Sequence, residues 1–337
     1  MADDILLDVV NLKVYFPLPK THLFAKPQVV HAVDDVSFQV KRGTTFGVVG
    51  ESGSGKTTTA LAVMRLVNVT SGAMMLNGVN LAGLEKEELR KTRRHMQMIF
   101  QDPYSSLNPR VRAGEIVREP MELMKIGTKA EQSKRVDELF RNVGLRPEQQ
   151  ALFPHQFSGG QRQRIGVARA LATQPELIIC DEPVSALDVA IQAQILNLLR
   201  RLQDDFGLTY LFISHDLGVV QYMCDEIAVM YLGQVVEQAD RLSLFRRPLH
   251  PYTWALLSAV PSADPSVLKA KKARVRLQGD PPSPIDLPDG CRFAGRCPFA
   301  QSRCHAELPP LRTLDGDHRI ACHLVTDDGR TPFDDKV

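Results

Sequence analysis

Residues 50–57 read GESGSGKT, a glycine-rich turn of the form G-x-x-x-x-G-K-[ST]. It stands between TTFGVV at 44–49, an apolar run of strand type, and a helical pattern from Lys56 to Val67. Strand, turn and helix in that order begin an α/β unit. The residue types suit one chemistry: glycines let backbone N–H groups turn inward around phosphate oxygens, and the helix start adds its positive end. Gly50, Glu51, Ser52, Gly53, Ser54 and Gly55, with Lys56, Thr57 and Thr58, therefore form a candidate nucleotide-binding loop. Lys56 is placed to reach the β- and γ-phosphates, and the Thr57 hydroxyl to hold Mg²⁺. At average composition the pattern arises by chance in about one chain in a hundred of this length.

Downstream, LIICDEP at 177–183 delivers two acids at the end of an apolar strand, where parallel sheets bind ligands. Asp181 suits Mg²⁺, and Glu182 could take a proton from an attacking water. An apolar strand ending in two acids is common by itself; behind a phosphate loop it reads as catalytic. FSGGQRQRIGVARAL at 157–171 offers a second anion site, since Ser158, Gly159 and Gly160 precede a helix. One triphosphate rarely needs two such sites in one chain. The second is expected to serve a nucleotide held by another copy, so that two subunits sandwich ATP. The alternative, a glycine-rich helix cap, is set against the 23-residue step from Ser158 to Asp181.

The rest of the 337 residues frames these elements. With 44% hydrophobic and 24% charged residues, the composition is that of a globular protein and excludes a disordered or fibrous chain. A net charge of +2 names no partner. No apolar run approaches the ~20 residues of a membrane span. MADDILLDVV at the start is acidic where a secretory signal is basic, so a soluble protein that stays where it is made is expected. Ile5–Phe16 and Val29–Val40 read as strands, the second with Val36, Phe38 and Val40 alternating, and PLPKTHLFAKPQ (17–28) as the loop between. Helices are expected at Ala113–Met124, Glu131–Val143, Gly160–Ala172 and Val189–Phe206, and strands at LIIC, TYLFIS and EIAVMYL. The order is α/β, a helical insertion at about 102–172, then α/β resumed.

Cys180 and Cys224 sit in apolar contexts and read as core thiols. Cys291, Cys297, Cys304 and Cys322 crowd into the last fifth of the chain, behind a Pro-rich linker with the basic stretch KAKKARVR (269–276). That stretch reads as a solvated face. In a cytosolic protein such a cysteine group points to metal before disulfides, and a module of roughly forty residues needs a staple of that kind.

Together these residues resemble the ATP-binding cassette (ABC) ATPases over about 5–260. FSGGQ is similar to the family signature, with Phe157 where many members have Leu, and Gln161 closing it; SALD (185–188), ending in Asp188, resembles the loop that crosses the dimer interface. The resemblance implies that His215 in FISHD contacts the γ-phosphate and that Gln101 in MIFQDP senses it and serves Mg²⁺. It also implies that Phe16 stacks on adenine, with Tyr15 adjacent. The implied fold is a P-loop cassette with an inserted helical subdomain (1–260) and a small Cys-rich C-terminal module (261–337). The implied catalytic set is Glu182, His215, Gln101 and Lys56.

FQDPYSSLNPR (100–110), RPLHPYTWALLSAVP (247–261) and the tail DPPSPIDLPDGCRFAGRCPFAQSRC (280–304) resemble ATPase subunits of dipeptide and oligopeptide importers. This implies a second ATPase subunit in a heterodimer, two permeases and an extracytoplasmic binding protein, with no nucleic acid. The place implied is the cytoplasmic face of a bacterial inner membrane. Nickel, glutathione or another small solute is the alternative cargo; a soluble ABC ATPase of ribosomes or DNA is the alternative class. The spacing Cys-x5-Cys-x6-Cys-x17-Cys lacks the paired C-x2–4-C of structural zinc. The resemblance implies a [4Fe–4S] cluster, zinc being the alternative and His305, His318 and His323 possible substitutes as ligands.

Overall fold

The structure is a computed structural model that describes residues 4–19, 28–102, 104, 106–259, 279–280 and 282–334. Most of the loop at 17–28, the basic stretch at 269–276, and Pro103 and Ser105 of the FQDPYSSLNPR run lie outside them. The chain divides into two units: Met1–Leu7, Val40–Thr45 and Met75–Ile213; and Asp8–Gln39, Phe46–Met74 and Ser214–Val337.

β1 (Ile5–Pro17) and β2 (Val29–Lys41), which fall mostly in the second unit, lie side by side, with β4 (Ser71–Leu76) on the other edge of β1. The expected alternation holds: Val36, Phe38 and Val40 are buried, and Phe38 stacks on Phe46 at 4.9 Å. β3 (Thr45–Val49) is buried at every position and pairs parallel with β9 (Glu226–Tyr231). Runs without alternation belong to parallel strands covered on both faces. β3 ends in the glycine-rich loop and α1 (Lys56–Val63). The helix stops four residues short of the expected Val67. Arg65 turns to φ 53°, and Leu66 N–H bonds back to the Leu61 carbonyl at 2.8 Å, a left-handed stop that satisfies the last carbonyls.

The first unit holds β6 (Met96–Ile99), β7 (Leu177–Asp181) and β8 (Thr209–Ser214), paired in parallel. Its helices α3 (Ala113–Leu123), α4 (Lys129–Asn142) and α5 (Gly159–Leu171) pack on one another, and α6 (Val189–Phe206) follows. Each lies within two residues of its expected bounds. Cys180 on β7, like Cys224 in the second unit, is fully buried.

The tail corrects one expectation. It is not a separate Cys-rich module held by a staple; it extends the sheet. β10 (Gln234–Asp240) pairs antiparallel with β9, and β12 (Arg319–Ile320) pairs with β10 through Glu237↔Ile320 and Gln238↔Arg319. β11 (Arg312–Thr313) adds the last strand. Ile320, Cys322 and Val325 bury against Leu249, which lies just before α9 (Pro251–Ala259). Backbone pairing and shared apolar area give the tail the core it could not build from forty residues.

Candidate functional site

The glycine-rich loop belongs to the second unit. Gly50 has φ 153°, and a Cβ there would lie 2.2 Å from the Met230 carbonyl oxygen, so only glycine passes under β9 at this point. The loop closes on Lys56, whose buried Nζ donates to the Gly50 and Glu51 carbonyls at 2.9 and 2.8 Å and approaches Ser54 Oγ at 3.4 Å. The ammonium thus sits inside the ring of backbone that the sequence assigned to phosphates. Thr57 is exposed at the first turn of α1, and no side chain caps that helix. Its leading N–H groups carry the partial positive charge an anion would meet.

Two aromatic neighbours near the end of β1 divide their work. The Tyr15 hydroxyl donates to Asp34, and its ring packs on His31 at 4.4 Å. Burial, then the Asp34 bond, pushes that phenol up. Burial also acts upward on the Asp34 carboxyl, but hydrogen bonds from Tyr15 and Arg292 reverse this and leave it lowered. Phe16 is left 38% exposed. In the same unit, His215 is exposed just ahead of α7 (Leu217–Met223), which Asp216 caps through Oδ1.

The first unit carries the acids. Asp181 ends β7 buried. Glu182 follows with φ 46°, a left-handed turn that is strained for a non-glycine residue, and its N–H donates to the Ile213 carbonyl at 3.0 Å. Beyond the turn, Gln101 Nε2 donates to Glu182 Oε2 at 2.9 Å. Two expected catalytic residues, 81 positions apart, are thereby joined. Ser158 caps α5: its Oγ accepts the Gln161 N–H at 3.3 Å while Gln161 Oε1 accepts the Ser158 N–H at 3.0 Å. This reciprocal box is legible as S-x-x-Q and went unread in the sequence. Behind it, a Cβ on Gly160 would lie 2.5 Å from Ile191 Cγ2, so the glycine lets α5 start close against α6. Asp188 caps α6 through Ile191 N–H at 3.0 Å.

In the tail, Cys291, Cys297, Cys304 and Cys322 line one cavity of about 10 Å³ with Phe293, Ala294 and Leu324, at the lower limit for one water. Burial raises the Cys291, Cys297 and Cys322 thiols, Cys297 to about 11 and Cys322 to about 12. The expected metal centre is not formed by this geometry: among the described residues no group of three or more His, Cys, Asp or Glu side chains is placed to hold an ion. Of the candidate histidines, His318 is engaged by Glu237 at 2.7 Å, and His323, which lines the same cavity, has its Nε2 at 2.9 Å from the Glu307 carbonyl.

What the sequence did not signal is a set of tail arginines. Arg292 pairs with Asp34 and donates to the Leu232 carbonyl at 2.6 Å. Arg296 pairs with Glu51 of the glycine-rich loop at 2.6 Å, a bond that raises its guanidinium.

A family model described as ABC transporter matches residues 33–185, and one described as oligopeptide/dipeptide transporter, C-terminal region, matches 236–304. The probable peptide ABC transporter ATP-binding protein y4tS of Sinorhizobium fredii is 50% identical over 95% of this chain and 90% of its own. The oligopeptide transport ATP-binding protein AppF of Bacillus subtilis is 47% identical over 95% and 98%. Among solved structures, the dimeric ATP-binding cassette MJ0796 in a post-hydrolysis state with ADP and Pi is 28% identical. It aligns with a TM-score of 0.62 over 70% of this chain and 98% of that one. None of the described helices is long and apolar enough to cross a membrane. The phosphate loop, the strand-end acids and the capped α5 thus stand in a chain that belongs to the ABC transporter ATPases, among the ATP-binding proteins of the oligopeptide and dipeptide branch.

Proposed function

We propose that the chain is the ATP-hydrolysing subunit that powers a peptide importer, working as a peripheral protein on the cytoplasmic face of a bacterial inner membrane. The observation that carries this is the likeness of the tail as well as the cassette to peptide transporters. Nickel, glutathione, ribosomes and DNA find no support among these relatives. In this reading residues 1–260 form the cassette, with its helical subdomain at about 102–172, and 261–337 the linker and tail. Two cassettes close on ATP, as the dimeric form of the structural relative suggests. The second cassette is a related subunit, two permeases sit above, and a binding protein feeds them.

The roles follow from the residues. Phe16, exposed beside an engaged Tyr15, stacks on adenine. Lys56 leaves the Gly50 and Glu51 carbonyls for the β- and γ-phosphates, while the loop amides and the α1 start hold their oxygens. Thr57, Asp181 and Gln101 supply the hard oxygen donors that suit Mg²⁺, which offsets phosphate charge when bound. Glu182 orients and deprotonates the attacking water, and His215 contacts the γ-phosphate. Ser158, Gly159, Gly160 and Gln161 complete the partner's site, with Asp188 on the loop between them.

Glu182→Gln is expected to abolish turnover and trap an ATP-bound dimer; normal turnover would refute the general-base role. Gentle solubilisation of membranes with the tagged chain should recover two multi-span permeases and a second ATPase. Recovery with ribosomes or DNA factors instead would overturn the transport reading. In the tail, Cys291, Cys297, Cys304 and Cys322 line one cavity, but it is too small for a [4Fe–4S] cluster and frames no zinc site, so neither group enters this reading. Iron with broad visible absorption in anaerobically purified protein would overturn that and restore the cluster.

A further inference from the structure

We infer that Arg296 is a positioning residue of the ATPase: by holding Glu51 it sets the charge and geometry of the phosphate loop, so that the C-terminal tail acts as a latch on nucleotide binding. The inference rests on reading residues 50–57 as the nucleotide loop. Its basis is a two-pronged contact across 245 residues of sequence, Nη1 to Oε2 at 2.6 Å and Nη2 to Oε1 at 3.1 Å. Fork-on-fork pairing fixes direction as well as distance. The guanidinium is nearly buried, its side chain 8% exposed. It approaches the Tyr231 hydroxyl at 3.4 Å, and its Nε is buried with no hydrogen-bond partner. An arginine desolvated to this degree, with one donor unsatisfied, is held in place by its carboxylate.

Glu51 is the second residue of the loop, and it is gripped at three points. Its carboxylate goes to Arg296, its N–H donates to the Tyr252 hydroxyl at 2.8 Å, and its carbonyl takes the Lys56 ammonium at 2.8 Å. Two consequences follow. An acid in the loop adds negative charge near incoming phosphates, and without Arg296 that charge is not offset. An unpaired Glu51 carboxylate also competes for Lys56, the cation that has to move to the phosphates. Both effects weaken binding, while Glu182, Gln101 and His215, which act on the attacking water and the γ-phosphate in the proposed reading, are untouched.

The test is ATP titration of the full chain with Mg²⁺, alongside steady-state turnover. Arg296→Gln should raise Kd and KM for ATP by about tenfold or more, the size expected for one uncompensated charge near phosphate at an effective dielectric of about 20. Turnover at saturating ATP should stay within about threefold, a split that loss of fold would not produce. Arg296→Lys should recover much of the affinity, and so should Glu51→Gln combined with Arg296→Gln, because removing the repelling charge replaces neutralising it. Trp254, the single tryptophan, stacks on Phe333 of the tail at 4.5 Å, so its emission reports whether the tail is docked. If Arg296→Gln shifts that emission, the double variant decides: recovered affinity supports the latch, and unrecovered affinity overturns it. Wild-type affinity in Arg296→Gln overturns the latch alone. A wild-type chain that does not bind ATP overturns the nucleotide reading and the latch with it.

Discussion

Glu237→Ala removes the carboxylate on which the second unit ties its tail to its sheet. Glu237 lies on β10 with no exposed surface. Its Oε1 accepts the Leu249 N–H and faces His318 Nε2, both at 2.7 Å, and its Oε2 accepts the His250 N–H at 2.9 Å. Leu249 and His250 are themselves buried, so water cannot replace the lost acceptor. Each buried donor left without a partner costs about 1–3 kcal/mol. Relief of the carboxylate's own desolvation offsets part of this, and a net loss of about 3 kcal/mol is expected, in the range for breaking a buried pair. Urea unfolding read by Trp254 fluorescence measures it well, because the indole lies four residues after His250 and stacks on Phe333 of the tail at 4.5 Å. With a slope of about 2–3 kcal/mol/M, the midpoint should fall by about 1–1.5 M. Glu237→Gln, which keeps one acceptor oxygen, should fall about half as far. A midpoint shift below about 0.3 M for alanine would mean that those amides find other partners, and the account of the junction would be wrong.

Acid should weaken the same region. Burial lowers the His250 imidazole from its usual 6.5 to about 4, with Glu237 acting upward against it, and its Nδ1 accepts the Tyr252 N–H at 3.0 Å. The unfolded chain takes its proton first, so this stability is complete above about pH 6.5 and is lost as pH falls to about 4, roughly 3 kcal/mol in all. His250→Asn should flatten that slope in urea midpoints taken across the window; equal slopes would refute the assignment. Gly50→Ala should abolish ATP binding, because its Cβ would meet the Met230 carbonyl at 2.2 Å and the loop would have to shift; wild-type affinity by calorimetry would contradict this. Gly160→Ala should cost about 1–2 kcal/mol by overpacking, and Ile191→Ala in the same chain should relieve it, since Ile191 Cγ2 is the atom in the way. Failure of that rescue in a urea titration would place the strain elsewhere.

Much of the fold was legible because its signals are local. Parallel strands advertise themselves as unbroken apolar runs, as in TYLFIS, which forms β8 at its expected bounds. α6 also starts and stops where its pattern does, with Asp188 as its cap and Gly207 at φ 64° after it. Where a stop carried no glycine or proline, as at Arg65 ending α1, the pattern ran on past the true end. β12 was missed because a two-residue strand at 319–320 is defined only by its partner, some 80 positions earlier.

The chemistry divides in the same way. The phosphate loop, the acids after β7 and the glycines before α5 are each a run of neighbouring residues whose backbone conformation and residue type suffice to name a task, so the sequence alone determined that this chain binds and hydrolyses a nucleotide. Only the tertiary structure decided that Gln101 meets Glu182, that Tyr15 is occupied and Phe16 left exposed, that the tail extends the sheet through Glu237, and that Arg296 grips Glu51. Those are pairings between side chains distant in sequence. A charged residue looks the same in sequence whether it faces water or a partner, and what separates the two cases is burial, which exists only once the chain has folded.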